Sequence, residues 1–169
     1  LTLSDAQLNI LQKNNKFAFN LFQKVSGMDS KVVSPMSVSY LMGMLANGAD
    51  GETQQEIMKA IGCDGVSVKE LNELYKLLIM SAGKLDKQTT VNIANYVAVN
   101  KKYQLNEYFV KAVSDNYQAG IESLDFNSQK SADRINSWCE KQTKGMIPKF
   151  IDRMEPSAVS YLLNAIYFN

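Results

Sequence analysis

The segment 158–168, Ala-Val-Ser-Tyr-Leu-Leu-Asn-Ala-Ile-Tyr-Phe, constrains the fold more than any other part of the sequence. Apolar side chains occupy both of its alternating faces, which is typical of a central strand covered on both sides. Such a strand needs a neighbouring strand at each edge and a covering layer on each face. Only two further strands are predicted before it, and the sequence stops at Asn169. We therefore expect these residues to be part of a larger domain.

Helix patterns fill the first half of the sequence. Four helices are predicted there, at 5–25, at 36–46, at 53–62 and from residue 67 onward. Ser34 and Pro35 are typical of the cap and the first turn of the second helix. That helix is apolar nearly all round, so we expect it to be buried. The runs that start at Thr53 and Ser67 each have the spacing of a capping box, which predicts a helix start at both.

Strands and helices alternate in the second half. The predicted elements are a strand at 90–99, a helix at 106–118, a strand at 121–126, a helix at 128–144 and the last strand at 158–168. The sequence therefore predicts an α+β chain. Its helical region is 1–89, and its sheet strands with two helices occupy 90–169.

The composition argues against an enzyme, a metal site and a nucleic-acid partner. The sequence has no histidine, and its two cysteines, Cys63 and Cys139, lack a CxxC spacing. A Ser/His or Cys/His catalytic pair is therefore absent from these residues, and no metal-ligand pattern is recognisable. No phosphate-binding glycine loop or paired carboxylates are recognisable either, so no cofactor is expected. A net charge of +1 gives no reason to expect nucleic acid or a membrane as partner.

Three polar residues lie in apolar surroundings. Ser34 and Ser37 stand at the start of the apolar helix, and Asn164 stands in the middle of the last strand. Each needs a hydrogen-bond partner if it is buried, because an unpaired polar group in a core costs about 1–3 kcal/mol. They are either one network that rearranges when strands move, or a helix cap, a solvent-facing serine and a separate asparagine.

Several sequence motifs resemble those of the serpins. Segment 32–53 has the Ser-Pro-x-Ser start, the methionine-leucine run and the Gly-Ala-x-Gly-x-Thr end of the family's second helix. Segment 135–147 has the Asn-x-Trp and Thr-x-Gly-x-Ile elements of a helix that lies across the main sheet, and 162–168 has an Asn-x-Ile-x-Phe strand. The chain departs from the pattern at Ser30, where many members have asparagine, and at Asn169, where lysine is common.

The resemblance implies the N-terminal half of a single serpin domain, with helices packed on part of a large, mainly antiparallel central sheet. In that family a proteinase cleaves a reactive loop, which inserts as a new central strand and traps the enzyme. The resemblance places Ser34, Ser37 and Asn164 in the shutter that controls opening of the sheet. It places Asn136 and Trp138 on the helix that crosses the sheet.

The resemblance also implies what this chain does not carry. The reactive loop lies beyond Asn169 in a complete serpin, so we expect no inhibition by these residues alone. The implied partners are a target serine or cysteine proteinase and the remaining C-terminal serpin polypeptide. The alternative is a non-inhibitory serpin that acts as a carrier, chaperone or storage protein, which the residues of the absent hinge would discriminate. The family favours a secreted or cell-envelope location, with the cytoplasm as the alternative.

Overall fold

The computed structural model describes residues 1–25, 27, 32–84 and 88–169, so the departure at Ser30 lies outside the described residues. The described residues form six helices and three strands. They are α1 (Asp5–Val25), α2 (Pro35–Ala46), α3 (Gly51–Ala60), α4 (Val68–Ala82), β1 (Val91–Asn100), α5 (Glu107–Tyr117), β2 (Gly120–Leu124), α6 (Gln129–Gln142) and β3 (Ser160–Phe168). Two compact units contain them, Leu1–Leu78 and Ile79–Asn169. The assignment of the chain to a single domain stays a prediction.

The first unit contains α2, the predicted buried helix. Ser34 caps it and Pro35 occupies its first turn, as the sequence predicts. One side of the helix is buried, with Tyr40 and Met44 fully enclosed. The predicted burial of this helix is seen only in part among the described residues, because Met36 is 45% exposed and Leu45 is 43% exposed. Apolar side chains of this helix therefore remain exposed at two separate positions.

The starts of α3 and α4 show one wrong and one confirmed prediction. α3 begins at Gly51 and not at Thr53, because the Asp50 carboxylate accepts a hydrogen bond from the Gly51 N–H at 2.8 Å. The capping box at the start of α4 is confirmed. The Glu70 N–H donates to Ser67 Oγ at 3.2 Å, and the Ser67 N–H donates to the Glu70 carboxylate at 3.0 Å. Two backbone donors at the helix end are thereby satisfied.

The second unit is built on a three-stranded sheet in the order β2-β1-β3. β1 runs parallel to β2 and antiparallel to β3, and Asn95 lies opposite Asn164 in the β1–β3 register. The predicted central position of the last strand is therefore not seen within the described residues, where β1 is central and β3 forms an edge. The pattern predicted a strand with two neighbours, and here β3 has one neighbour, β1.

Helix α6 covers one face of this sheet. The core beneath it joins side chains from β1, β3 and α6 with the loops on either side of the helix, and includes Tyr96, Phe126, Ile135, Trp138, Met154 and Leu163. Ile135, Trp138 and Cys139 face inward as their helical spacing predicts. This packing fixes the helix that the sequence motifs place across the sheet.

Candidate functional site

The first part of the candidate site is the serine pair at the start of α2. The Ser34 hydroxyl accepts a hydrogen bond from the Ser37 N–H at 3.3 Å and another from the Ser37 hydroxyl at 2.8 Å. Ser34 therefore caps the helix and also contacts the second predicted shutter residue. Ser37 is half-buried.

The second part is a relay of side-chain amides that crosses the sheet. Asn164 of β3 donates through Nδ2 to Asn95 Oδ1 of β1 at 2.8 Å. Asn95 in turn donates through its own Nδ2 to the Tyr117 carbonyl, at the end of α5, at 2.7 Å. Two strands and a helix terminus are thus joined by side chains far apart in the sequence. We call Asn164, Asn95 and the Tyr117 carbonyl the amide relay.

One end of the amide relay is unsatisfied. Asn164 Oδ1 is buried and accepts no hydrogen bond from the residues that the structure describes. A buried amide oxygen without a donor costs about 1–3 kcal/mol, so this atom favours the approach of an N–H or O–H group. It belongs to β3, the edge strand.

The relay contains a residue that sequence reasoning missed. Asn95 is 3% exposed, yet only Ser34, Ser37 and Asn164 stood out as polar residues in apolar surroundings. Asn95 lies in a strand as apolar as that of Asn164. This polar residue in an apolar strand could have been recognised from the sequence. Ser34 and Ser37 belong to the first unit and Asn164 to the second. The role of the three as one switch stays a prediction.

Asn136 holds α6 to the loop that follows it. Its Oδ1 accepts hydrogen bonds from the N–H groups of Phe150 and Ile151, at 2.8 and 2.9 Å. Its Nδ2 donates to the Ile151 carbonyl at 2.8 Å. One side chain thus satisfies three backbone groups of the segment that leads back towards β3.

Trp138 and Arg134 attach α6 to the sheet. The Trp138 ring stacks on Tyr96 of β1, with ring centroids 5.2 Å apart. Arg134 donates through Nε to the Glu122 carboxylate of β2 at 2.9 Å and makes a second bond to it through Nη2. The guanidinium lowers the pKa of Glu122 below its usual range, while burial and then Glu122 raise the pKa of the Tyr96 hydroxyl. Displacement of α6 would break this bidentate pair and the aromatic stack together.

Possible metal ligands and thiols are the remaining groups with chemistry of their own. No group of three or more His, Cys, Asp and Glu side chains that could hold a metal ion occurs in the described ranges. Both thiols, Cys63 and Cys139, are free and buried, and burial raises the pKa of each. In the same part of the chain, every helix is too short or too polar to cross a membrane.

The arrangement of motifs, helices and strands matches one family of known proteins. A family model described as serpin (serine protease inhibitor) matches residues 12–169. The chain belongs to the serpin family. The predicted serpin resemblance and the predicted α+β serpin fold are both confirmed.

Individual serpins resemble the chain over nearly its whole length. Serine protease inhibitor 42Dd of Drosophila melanogaster is 30% identical over 159 residues, which cover 92% of this chain and 43% of that protein. Thyroxine-binding globulin of Ovis aries is 31% identical over 161 residues, covering 92% of this chain and 39% of that protein. The thermophilic serpin tengpin, solved in its latent state, superposes with a TM-score of 0.88 at 26% identity, covering 98% of this chain and 44% of tengpin. This serpin chain thus spans less than half of the length of these relatives.

Proposed function

We propose that the full-length protein containing this chain inhibits serine or cysteine proteinases by inserting its cleaved reactive loop into the main sheet. Membership of the serpin family supports this proposal, and so does the resemblance to a serine protease inhibitor of Drosophila melanogaster. The proposal places the reactive loop in the part of the protein outside this chain. The remaining C-terminal polypeptide and the target proteinase are then the partners.

The edge of β3 is the observation that carries the proposal furthest. In the described residues β3 pairs with β1 on one side only, and its Asn164 Oδ1 lacks a donor. An edge strand presents N–H and C=O groups to an incoming strand, and an unsatisfied amide oxygen favours a donor there. We therefore place the insertion of the cleaved reactive loop at this free edge of β3.

The shutter in this proposal is Ser34, Ser37 and Asn164, extended by Asn95. The amide relay fixes the side chain of Asn164, so any movement of β3 relative to β1 breaks the bond to Asn95. Breaking a buried amide hydrogen bond costs about 1 kcal/mol, and more if a group is left unsatisfied. The relay therefore ties β3 to β1, so that the two strands stay together when the free edge of β3 receives the incoming strand.

The crossing helix α6 is a barrier to insertion. Asn136 and Trp138 hold it to the following loop and to β1, and Arg134 holds it to β2. If α6 must move to admit the incoming strand beside β3, these contacts must break or bend. We infer that they slow insertion and so help to maintain a metastable native state.

The test is formation of a covalent complex by the full-length protein. The protein is mixed with serine and cysteine proteinases of different specificity and examined by denaturing electrophoresis and intact mass spectrometry. Inhibition predicts a complex that survives denaturation, with the mass of the proteinase plus the serpin less the polypeptide released by cleavage. Cleavage of the loop by every proteinase without any complex would contradict the proposal.

A non-inhibitory carrier is the second candidate, because thyroxine-binding globulin is among the relatives. Small residues at the loop hinge favour inhibition, while bulky or charged residues there favour the carrier. The hinge sequence of the full-length protein, read with the complex assay, separates the two.

A further inference from the structure

A basic groove lies along α1 beside the end of α3, within the first unit. Lys16, Lys24 and Lys59 are exposed around it, and half-buried Phe17 and Leu21 provide an apolar floor. We call this surface the α1–α3 groove. Its volume of about 680 Å³ is within the range of small-molecule sites, about 300–1,000 Å³.

The charge of the groove differs from that of the whole chain. Four lysines and one aspartate line it, a net charge of +3, whereas the complete sequence carries +1. Lys13 donates to the backbone carbonyl of Asp64 at 2.8 Å. None of the ion pairs found in the described residues involves Lys16, Lys24 or Lys59. These three ammonium groups are therefore available to an anion.

The backbone at one end of the groove is fixed by close packing. Gly62 has φ +75°, and a Cβ at this position would lie 3.3 Å from the Lys13 carbonyl oxygen. The carbonyls that end α3 are also satisfied, since those of Ile57, Met58 and Lys59 accept hydrogen bonds from the following turn. The partial negative charge of the helix end is thereby reduced, and the lysines dominate the local potential.

We propose that the α1–α3 groove binds an amphiphilic anion, a long-chain carboxylate with its head among the lysines and its chain over Phe17 and Leu21. The positive side chains select an anionic head, and the apolar floor selects an aliphatic tail. A sulfated polysaccharide has negative charge but no aliphatic tail, and a neutral lipid has an aliphatic tail but no charge. Neither matches both parts of the groove. This site is independent of the proposed inhibition.

The test measures the affinity of the full-length protein for laurate by isothermal titration calorimetry, below the concentration at which laurate forms micelles. Methyl laurate serves as the uncharged probe and a heparin oligosaccharide as the polyanion. The double variant Lys16→Gln/Lys59→Gln removes two lysines from the groove. Lys69→Gln, an exposed lysine of α4 outside the groove, is the matched control.

Laurate binding should weaken about 5- to 10-fold in the double variant, as expected for two exposed charge contacts, and by less than about 2-fold in the control. Added salt should weaken it in the wild type more than in the double variant. Three results would overturn the proposal: no laurate binding by the wild type, equal binding of methyl laurate, or an equal loss in Lys69→Gln. Binding of the heparin oligosaccharide alone, lost in the double variant, would overturn it in favour of a polyanion patch.

Discussion

Replacing Asn95 by alanine should destabilise the full-length protein more than any other single change in the amide relay. The side chain is 3% exposed. It makes a buried hydrogen bond to the Tyr117 carbonyl at 2.7 Å and accepts a partly buried one from Asn164 Nδ2 at 2.8 Å. Each bond contributes about 1 kcal/mol, and the Asn164 amide then lacks its acceptor, which adds about 1–2 kcal/mol. The expected loss in the free energy of unfolding is about 3–4 kcal/mol.

A double-mutant cycle isolates the bond between the two asparagines. Asn164→Ala loses one hydrogen bond but also removes the unsatisfied Oδ1, so it should cost about 1 kcal/mol or less, below the cost of Asn95→Ala. The double variant Asn95→Ala/Asn164→Ala should be more stable than the sum of the single losses predicts, with a coupling energy of about 1–2 kcal/mol. Urea unfolding followed by circular dichroism measures all four proteins.

Asn116→Ala is the matched control for this cycle. Asn116 lies on α5, and the hydrogen bond that its side chain makes among the described residues stays within the helix, to the Ala112 carbonyl at 2.9 Å. Its loss should change stability by less than about 0.5 kcal/mol. A coupling energy below about 0.3 kcal/mol between Asn95 and Asn164 would refute the relay, because that value is the scatter expected of independent sites.

Three further changes test other contacts of the structure. Asn136→Ala removes three hydrogen bonds between the middle of α6 and the loop that follows it. It should cost about 2–3 kcal/mol in urea unfolding, with faster amide hydrogen exchange in that loop. Gly62→Ala should cost about 1 kcal/mol more than Gly65→Ala, since both have φ +75° and only the first meets a neighbouring carbonyl; equal losses would contradict the close packing. Lys101 holds the pKa of the half-buried Asp125 carboxyl at about 2, below its value in the unfolded chain. The contribution of Asp125 to the free energy of unfolding is therefore present above about pH 4 and is lost as the pH falls towards 2. The difference in the free energy of unfolding between wild type and Asp125→Asn, measured by urea unfolding, should shrink over that interval.

The sequence predicted the order and type of the elements well, since each depends on local pattern. The capping box at Ser67 and the inward face of α6 could be read directly from spacing. The start of α3 was wrong because both Asp50 and Thr53 can cap a helix. The Asp50 carboxylate accepts a hydrogen bond from the Gly51 N–H. The Gln54 side chain donates hydrogen bonds to the Ala46 and Ala49 carbonyls of the preceding turn.

The candidate site was only partly predictable, because its contacts depend on strand register. Asn95 and Asn164 are 69 residues apart, and a shift of one residue between β1 and β3 would turn one of them to the opposite face. No local pattern specifies that register. The serine pair at the start of α2, by contrast, involves residues three positions apart and was recognisable from its capping pattern.

The measurement that tests the central claim most directly is the stability of the full-length protein before and after its reactive loop is cleaved. If the loop inserts beside β3, the cleaved protein gains a strand in its main sheet and should unfold at a clearly higher temperature than the intact protein. The rise in unfolding temperature should be largest when the amide relay is intact, because the relay then holds Asn164 Oδ1 in a fixed position to accept a hydrogen bond from the inserted strand. An unchanged or lower unfolding temperature after cleavage would contradict the account, because the loop would then have remained outside the sheet.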